Sequence, residues 1–116
     1  MRALNPFAPF WYTPMEEAKL EAASPTRFKI RGLNGSEIGF VAPEFVITEG
    51  TITGLSGKGL EMTLRYGLLD WENFENDSGR IAYNRANFGL IPYEVQAELA
   101  MQIIAASYPT QEEKKT

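Results

Sequence analysis

Two prolines, Pro92 and Pro109, fence off the segment that most constrains this chain. Proline fits the first turn of a helix and breaks its interior, so an element between the two starts and stops there. Val95, Leu99, Ile103 and Ala106 recur at helical spacing, while Glu94, Gln96, Glu98 and Gln102 lie elsewhere around the turn. The spacing predicts an amphipathic helix from Pro92 to about Ser107. Its apolar stripe needs a core to cover it. A chain of 116 residues has room for one, since a domain of this size buries roughly two-thirds of its unfolded surface.

The rest of the chain breaks into short pieces. Met1 to Tyr12 reads as an aromatic, proline-rich arm: Phe7, Phe10, Trp11 and Tyr12 stand among Pro6 and Pro9, whose missing amides argue against helix and against a central strand. Such an arm either packs back on its own domain or docks on a partner, and these four aromatics are the candidate partner-binding residues. Thr13-Pro14-Met15-Glu16 has the form of a helix start, with Thr13 as cap and Glu16 in capping-box position, for a short helix over Met15 to Ala23. Thr26 to Arg31 reads as a half-buried strand. Phe28 and Ile30 alternate there with Arg27, Lys29 and Arg31, a small basic stripe best read as a solvated face.

Asn34-Gly35 signals a turn, and Ser36 could cap a short element through Ala42 whose type stays open. Pro43 stops it, and Phe45 to Ile47 reads as a brief strand. Thr48 to Gly59 holds four of the ten glycines and matches neither a Walker loop nor a dinucleotide fingerprint. It reads as a flexible connection. Leu60, Leu64, Leu68 and Trp71 then predict an amphipathic helix from Gly59 to Trp71, with Gly67 admitting a close neighbour. Asp70 to Gly79 is acidic and turn-rich, Ile81 to Tyr83 is an extended stub, and Asn84 caps a turn through Phe88 that Gly89 closes.

Composition narrows the chemistry. There is no cysteine and no histidine. That removes disulfides, thiolate ligands and nucleophiles, the commonest zinc ligand and the usual general base. The acidic run Asp70, Glu72, Glu75 and Asp77 is the most enzyme-like feature. Carboxylate pairs can hydrolyse glycosides or hold calcium. These four crowd one turn, however, and the calcium-loop register fails: the glycine falls one place late and the twelfth position is Asn84. A solvated acidic loop is the better reading. No catalytic residue, cofactor or metal site is assigned, and the chain is expected not to be an enzyme. A net charge of −4 disfavours phosphate attraction, so no nucleic-acid partner is expected. No signal-peptide pattern and no membrane-length apolar run occurs, which points to the cytoplasm.

Two stretches are less generic. One is Arg65-Tyr66-Gly67-Leu68-Leu69-Asp70-Trp71-Glu72-Asn73-Phe74, continuing through Asp77-Ser78-Gly79 and Ile81-Ala82-Tyr83-Asn84 to Asn87. The other is Ile91-Pro92, Glu98-Leu99-Ala100, Ile103-Ile104 and Ser107, then Thr110-Gln111-Glu112-Glu113-Lys114-Lys115. With Pro25-Thr26-Arg27-Phe28 and Leu33-x-Gly35-x-Glu37 upstream, this order resembles the phage tail assembly chaperones from about Pro25 to Lys115. The arm falls outside the resemblance. These are structural phrases, with Trp71 as a core anchor, and none is an active-site motif. The resemblance implies a non-catalytic adaptor in the host cell cytoplasm. It would bind the tape measure protein and help recruit tail tube subunits, and it would be absent from the finished virion. A frameshifted longer product is a further implication, with Lys114-Lys115 as the place to examine in the codons.

The expected fold is α+β: a small N-terminal β element followed by a mainly helical C-terminal part. Residues 1–12 form the arm, 13–109 a single globular domain and 110–116 a flexible polar tail. Self-association is left open. The rival readings are a small phage-encoded inhibitor that occludes a host protein, and a structural tail component of the virion.

Overall fold

A computed structural model of the chain describes residues 8–21 and 23–108. Its elements are β1 (Phe10–Tyr12), α1 (Met15–Lys19), β2 (Arg27–Ile30), α2 (Gly35–Val41), β3 (Phe45–Thr48), β4 (Thr51–Leu55), α3 (Gly57–Gly67), β5 (Leu68–Glu72), β6 (Glu75–Asn76), β7 (Gly79–Arg80) and α4 (Tyr93–Ala106). Short 3-10 turns at Ala42–Glu44 and Arg85–Leu90 join them. Helices and strands both contribute, giving the expected α+β architecture. The arm does not stand apart from the domain: its last three residues are the edge strand of an antiparallel sheet ordered β1-β2-β5. The tail, residues 110–116, lies outside the described residues.

The core forms where the apolar face of this sheet meets α3 and α4. Phe28 and Ile30 from β2, Leu60 and Leu64 from α3, Leu68 and Trp71 from β5, and Leu99, Ile103 and Ile104 from α4 are all buried. The α4 stripe keeps Leu99 and Ile103 from expectation and gains Ala100, Ile104 and Ser107, while Val95 is half-buried and Ala106 is exposed. Gly67 does admit a neighbour, because a β-carbon there would stand 2.6 Å from Ile103 Cγ2. Ser107 closes the helix onto the sheet: its hydroxyl donates to the Ile103 carbonyl and accepts from the Leu33 amide, both at 2.7 Å. Beside it Gly32 lies against the Ala106 carbonyl, where any side chain would collide with backbone.

The helix expected over Gly59–Trp71 ends at Gly67, and Trp71 sits on β5. Leu68 and Trp71 are three apart, as on a helix, yet both are buried on one face of a strand. The register explains this: Lys29 pairs with Asp70 and Ile30 with Leu68, so Leu69 is an extra residue in a bulge that resets the alternation. Trp71 remains the core anchor. It is ringed by Phe28, Phe74, Tyr83 and Phe88 at 5.1–6.1 Å, and its Nε1 donates to the Ile81 carbonyl at 2.7 Å.

Three other expectations change. Thr48–Gly59 is no flexible connection: β3 and β4 form a hairpin around Glu49-Gly50, both residues having positive φ (52° and 80°) as a two-residue turn of the I′ kind demands. Asn34 is the cap itself and Ser36 is not. Asn34 Oδ1 accepts from the Glu37 amide and Glu37 Oε1 accepts from the Asn34 amide, both at 2.9 Å, which makes α2 a helix. The helix over Met15–Ala23 stops at Lys19, with Pro14 in the cap position and no side-chain capping bond from Thr13. No residue of α1 is buried, so packing gives it nothing to extend on.

Candidate partner-docking face

Of the four aromatics expected to meet a partner, Phe7 lies outside the described residues. The register of β1 on β2 sorts the other three. Phe10 pairs with Ile30 and Tyr12 with Phe28, so both point to the core side, while Trp11 pairs with Lys29 and points away. The three therefore do not make one patch. Trp11 lies under the Arg27 guanidinium, 5.0 Å from ring centroid to Cζ, and Arg27 is itself ion-paired with Glu72. Tyr12 is turned inward, its hydroxyl donating to Glu98 on α4. Burial first, then the Glu98 carboxylate, pushes the Tyr12 phenol up to about 12. Phe10 and Trp11 keep 39% and 37% of their surfaces exposed, so a partner can reach only their outer parts.

The same Glu98 oxygen accepts from the Met15 amide at 2.9 Å, which fixes the start of α1 against α4. Between them opens a cleft of about 240 Å³. Its floor is the buried Phe28 with Phe74, whose rings are 5.9 Å apart, and Val95. Pro14 and Pro92 stand on its walls, and Glu16 and Glu17 on its α1 side. Glu17 Oε1 accepts from the Thr26 amide at 2.9 Å, and the Thr26 hydroxyl donates to the Asn73 carbonyl at 2.7 Å, so the turn before β2 is pinned. Asn73 takes a left-handed φ of 58° and its amide donates to the Pro25 carbonyl at 3.1 Å. Met15, Leu20 and Tyr93, close in sequence to the lining residues, are each well over half exposed. Sequence reasoning read these residues as structural, Pro14 and Glu16 in a helix start, Phe28 in a strand and Val95 on the C-terminal helix, and did not bring them together.

The carboxylate run Asp70, Glu72, Glu75 and Asp77 is dispersed. Asp70 accepts from the Trp71 amide, Glu72 pairs with Arg27, Glu75 pairs with Arg80 at 3.4 Å, and Asp77 lies in the β6–β7 turn. Among the described residues no group of three or more His, Cys, Asp or Glu side chains could hold a metal ion. No helix among them is long and apolar enough to cross a membrane. The basic stripe is also engaged, since Arg31 forks onto Glu37 with bonds of 2.9 and 2.8 Å. That bond from Arg31 holds the Glu37 carboxyl below the usual carboxylate range, helped by the Asn34 amide and opposed by burial.

A second cleft, about 470 Å³, lies between α3 and the Arg85–Leu90 turn, with Arg65 and Arg85 on its rim. A second apolar surface is the β3–β4 hairpin, where Val46 and Ile47 are exposed. Compared with known proteins, the chain matches no family model, no curated protein and no solved structure.

Proposed function

We propose that the chain is a non-catalytic adaptor that works by binding other proteins, and in its narrower form a phage tail assembly chaperone acting on the tape measure protein and tail tube subunits. The observation that carries the first part is the apolar cleft over Phe28, between α1 and α4, with exposed Met15, Leu20 and Tyr93 close in sequence to its lining residues. Contiguous apolar surface of this kind marks interaction sites. The narrower form rests on the resemblance of the Arg65–Asn87 phrase and of the α4 region to that class.

Co-expression tests it. The chain is expected to copurify with a tape measure protein, and mass spectrometry of purified virions is expected not to find it. A chain abundant in virions is a structural tail component, and one that captures only a host protein is an inhibitor; either result overturns the chaperone reading. Deleting residues 1–12 would also remove β1 from the sheet, so Trp11→Ala is the cleaner variant for the arm. It lowers capture if the arm docks and leaves capture unchanged if it does not.

A further inference from the structure

The cleft between α1 and α4 also carries information about what enters it. Its floor is apolar, Phe28, Phe74 and Val95, and its volume of about 240 Å³ suits one or two large side chains, not a whole helix face. Charge is distributed very unevenly around it. Glu16 and Glu17 line it, and on the segments that flank it Glu21 lies two residues past the end of α1 while Glu94 and Glu98 lie on α4. Lys19 is the basic residue of this group. Five carboxylates against one ammonium give residues 14–21 and 92–98 together a net −4, on a chain whose whole net charge is −4. The arginines of the adjoining strands do not offset this, because Arg27 is held by Glu72 and Trp11, and Arg80 by Glu75 and Asn73. Three of the five carboxylates, those of Glu16, Glu21 and Glu94, belong to exposed residues, Glu16 in an exposed pair with Lys19 at 3.2 Å, while Glu17 is bonded to the Thr26 amide and Glu98 to Tyr12 and Met15.

We infer that this cleft is the docking site for a basic segment of a partner protein with an apolar anchor: a large aliphatic or aromatic side chain on Phe28 and Phe74, flanked by lysines or arginines that meet the acidic rim. The inference rests on the adaptor reading and specifies the partner's chemistry. Met15 and Tyr93, each next in sequence to a lining residue, are exposed. Met15 adapts its shape to what it meets, and Tyr93 adds a flat ring. The rim charges act mainly on the encounter rate and its salt dependence, and the anchor acts on the lifetime.

The test uses the full chain and three short synthetic peptides: one of leucine and lysine, one with alanine in place of leucine, and one with glutamate in place of lysine. Binding is read by fluorescence anisotropy and mapped by amide chemical shifts. The leucine–lysine peptide is expected to bind, to shift the amides of Glu16, Thr26, Phe74 and Val95, and to weaken with added salt. The surface variant Glu16→Lys/Glu21→Lys/Glu94→Lys is expected to weaken it roughly tenfold or more while the circular dichroism stays unchanged. Equal binding of the alanine–lysine peptide removes the anchor, and equal binding of the glutamate peptide removes the acidic rim. Shifts confined to the β3–β4 hairpin or the Arg65–Arg85 cleft, or no effect of the triple variant, overturn the site. A failure here leaves copurification with a partner unaffected, and a failure to copurify leaves the peptide results standing, so the two readings fall separately.

Discussion

The strand pair β1–β2 and the hairpin β3–β4 are built from similar material and are treated very differently by the fold. Both are short antiparallel pairs rich in aromatic or β-branched residues. β2 has β1 on one side, β5 on the other and the core behind it, so Phe28 and Ile30 are fully buried. Among the described residues the hairpin pairs only with itself. Phe45 and Leu55 at its base, and Ile52 nearer its tip, pack on the core, while Val46, Ile47, Thr48 and Thr51 are exposed. The lesson is that strand composition decides little about stability. A pleated surface contributes when something packs on it, and a two-stranded ribbon in water is marginal.

The largest effect that can break this comparison is a pair of truncations. Phe28→Ala should cost about 3–5 kcal/mol in chemical denaturation, as large-to-small changes of a buried aromatic do. Ile47→Ala should stay within about 0.5 kcal/mol, as exposed sites do. Comparable costs would mean that the hairpin is packed after all.

A smaller effect comes from the ion pair beyond the end of β2. Arg31 and Glu37 keep only 15% and 16% of their side chains exposed, and the hairpin has no ion pair among the described residues. Glu37→Gln should cost about 1–3 kcal/mol at neutral pH, towards the lower end because the site is not fully buried. The sign with pH follows from the depressed carboxyl. Its contribution is complete above the ordinary value of 4.5 and is lost as pH falls through the lower folded value. Urea midpoints of the wild type should therefore fall across that window, and those of Glu37→Gln should fall less steeply.

The smallest effect sharpens the comparison from the hairpin's side. Glu49 occupies a left-handed position that asparagine adopts far more readily. Glu49→Asn should raise stability by up to about 1 kcal/mol and slow amide exchange over residues 46–53, with no change at β2. A loss of stability would mean that Glu49 has a contact at the tip that outweighs its backbone strain.

What could be read from the sequence was what repeats locally. The α4 stripe and the Phe28/Ile30 alternation were legible because each element faces one environment along its length. β5 was not, since the bulge at Leu69 puts Leu68 and Trp71 on one face with a helix's spacing. The hairpin was hidden by Glu49 standing where asparagine would announce the turn, and by Gly54, Gly57 and Gly59 diluting the pattern after it. The arm gave a different difficulty: Phe10, Trp11 and Tyr12 are all aromatic, so no alternation says which faces inward, and only the register on β2 decides. The cleft was least legible of all. Its lining comes from residues 14–17, 26–28, 74 and 92–95, and nothing local in those four stretches says that they meet.

The clasp between the two ends of the domain has a consequence for its synthesis. The Leu33 amide waits for Ser107, and Tyr12 and Met15 wait for Glu98, contacts that span 74, 86 and 83 positions of the chain. A ribosome delivers β1 and β2 well before it delivers the helix that covers them. Until α4 emerges, Phe28, Ile30 and Leu33 have no lid, and closing such distant contacts is the slow step for a chain of this size. Folding therefore waits on α4, and a chain stalled before residue 98 presents its future core to whatever is nearby.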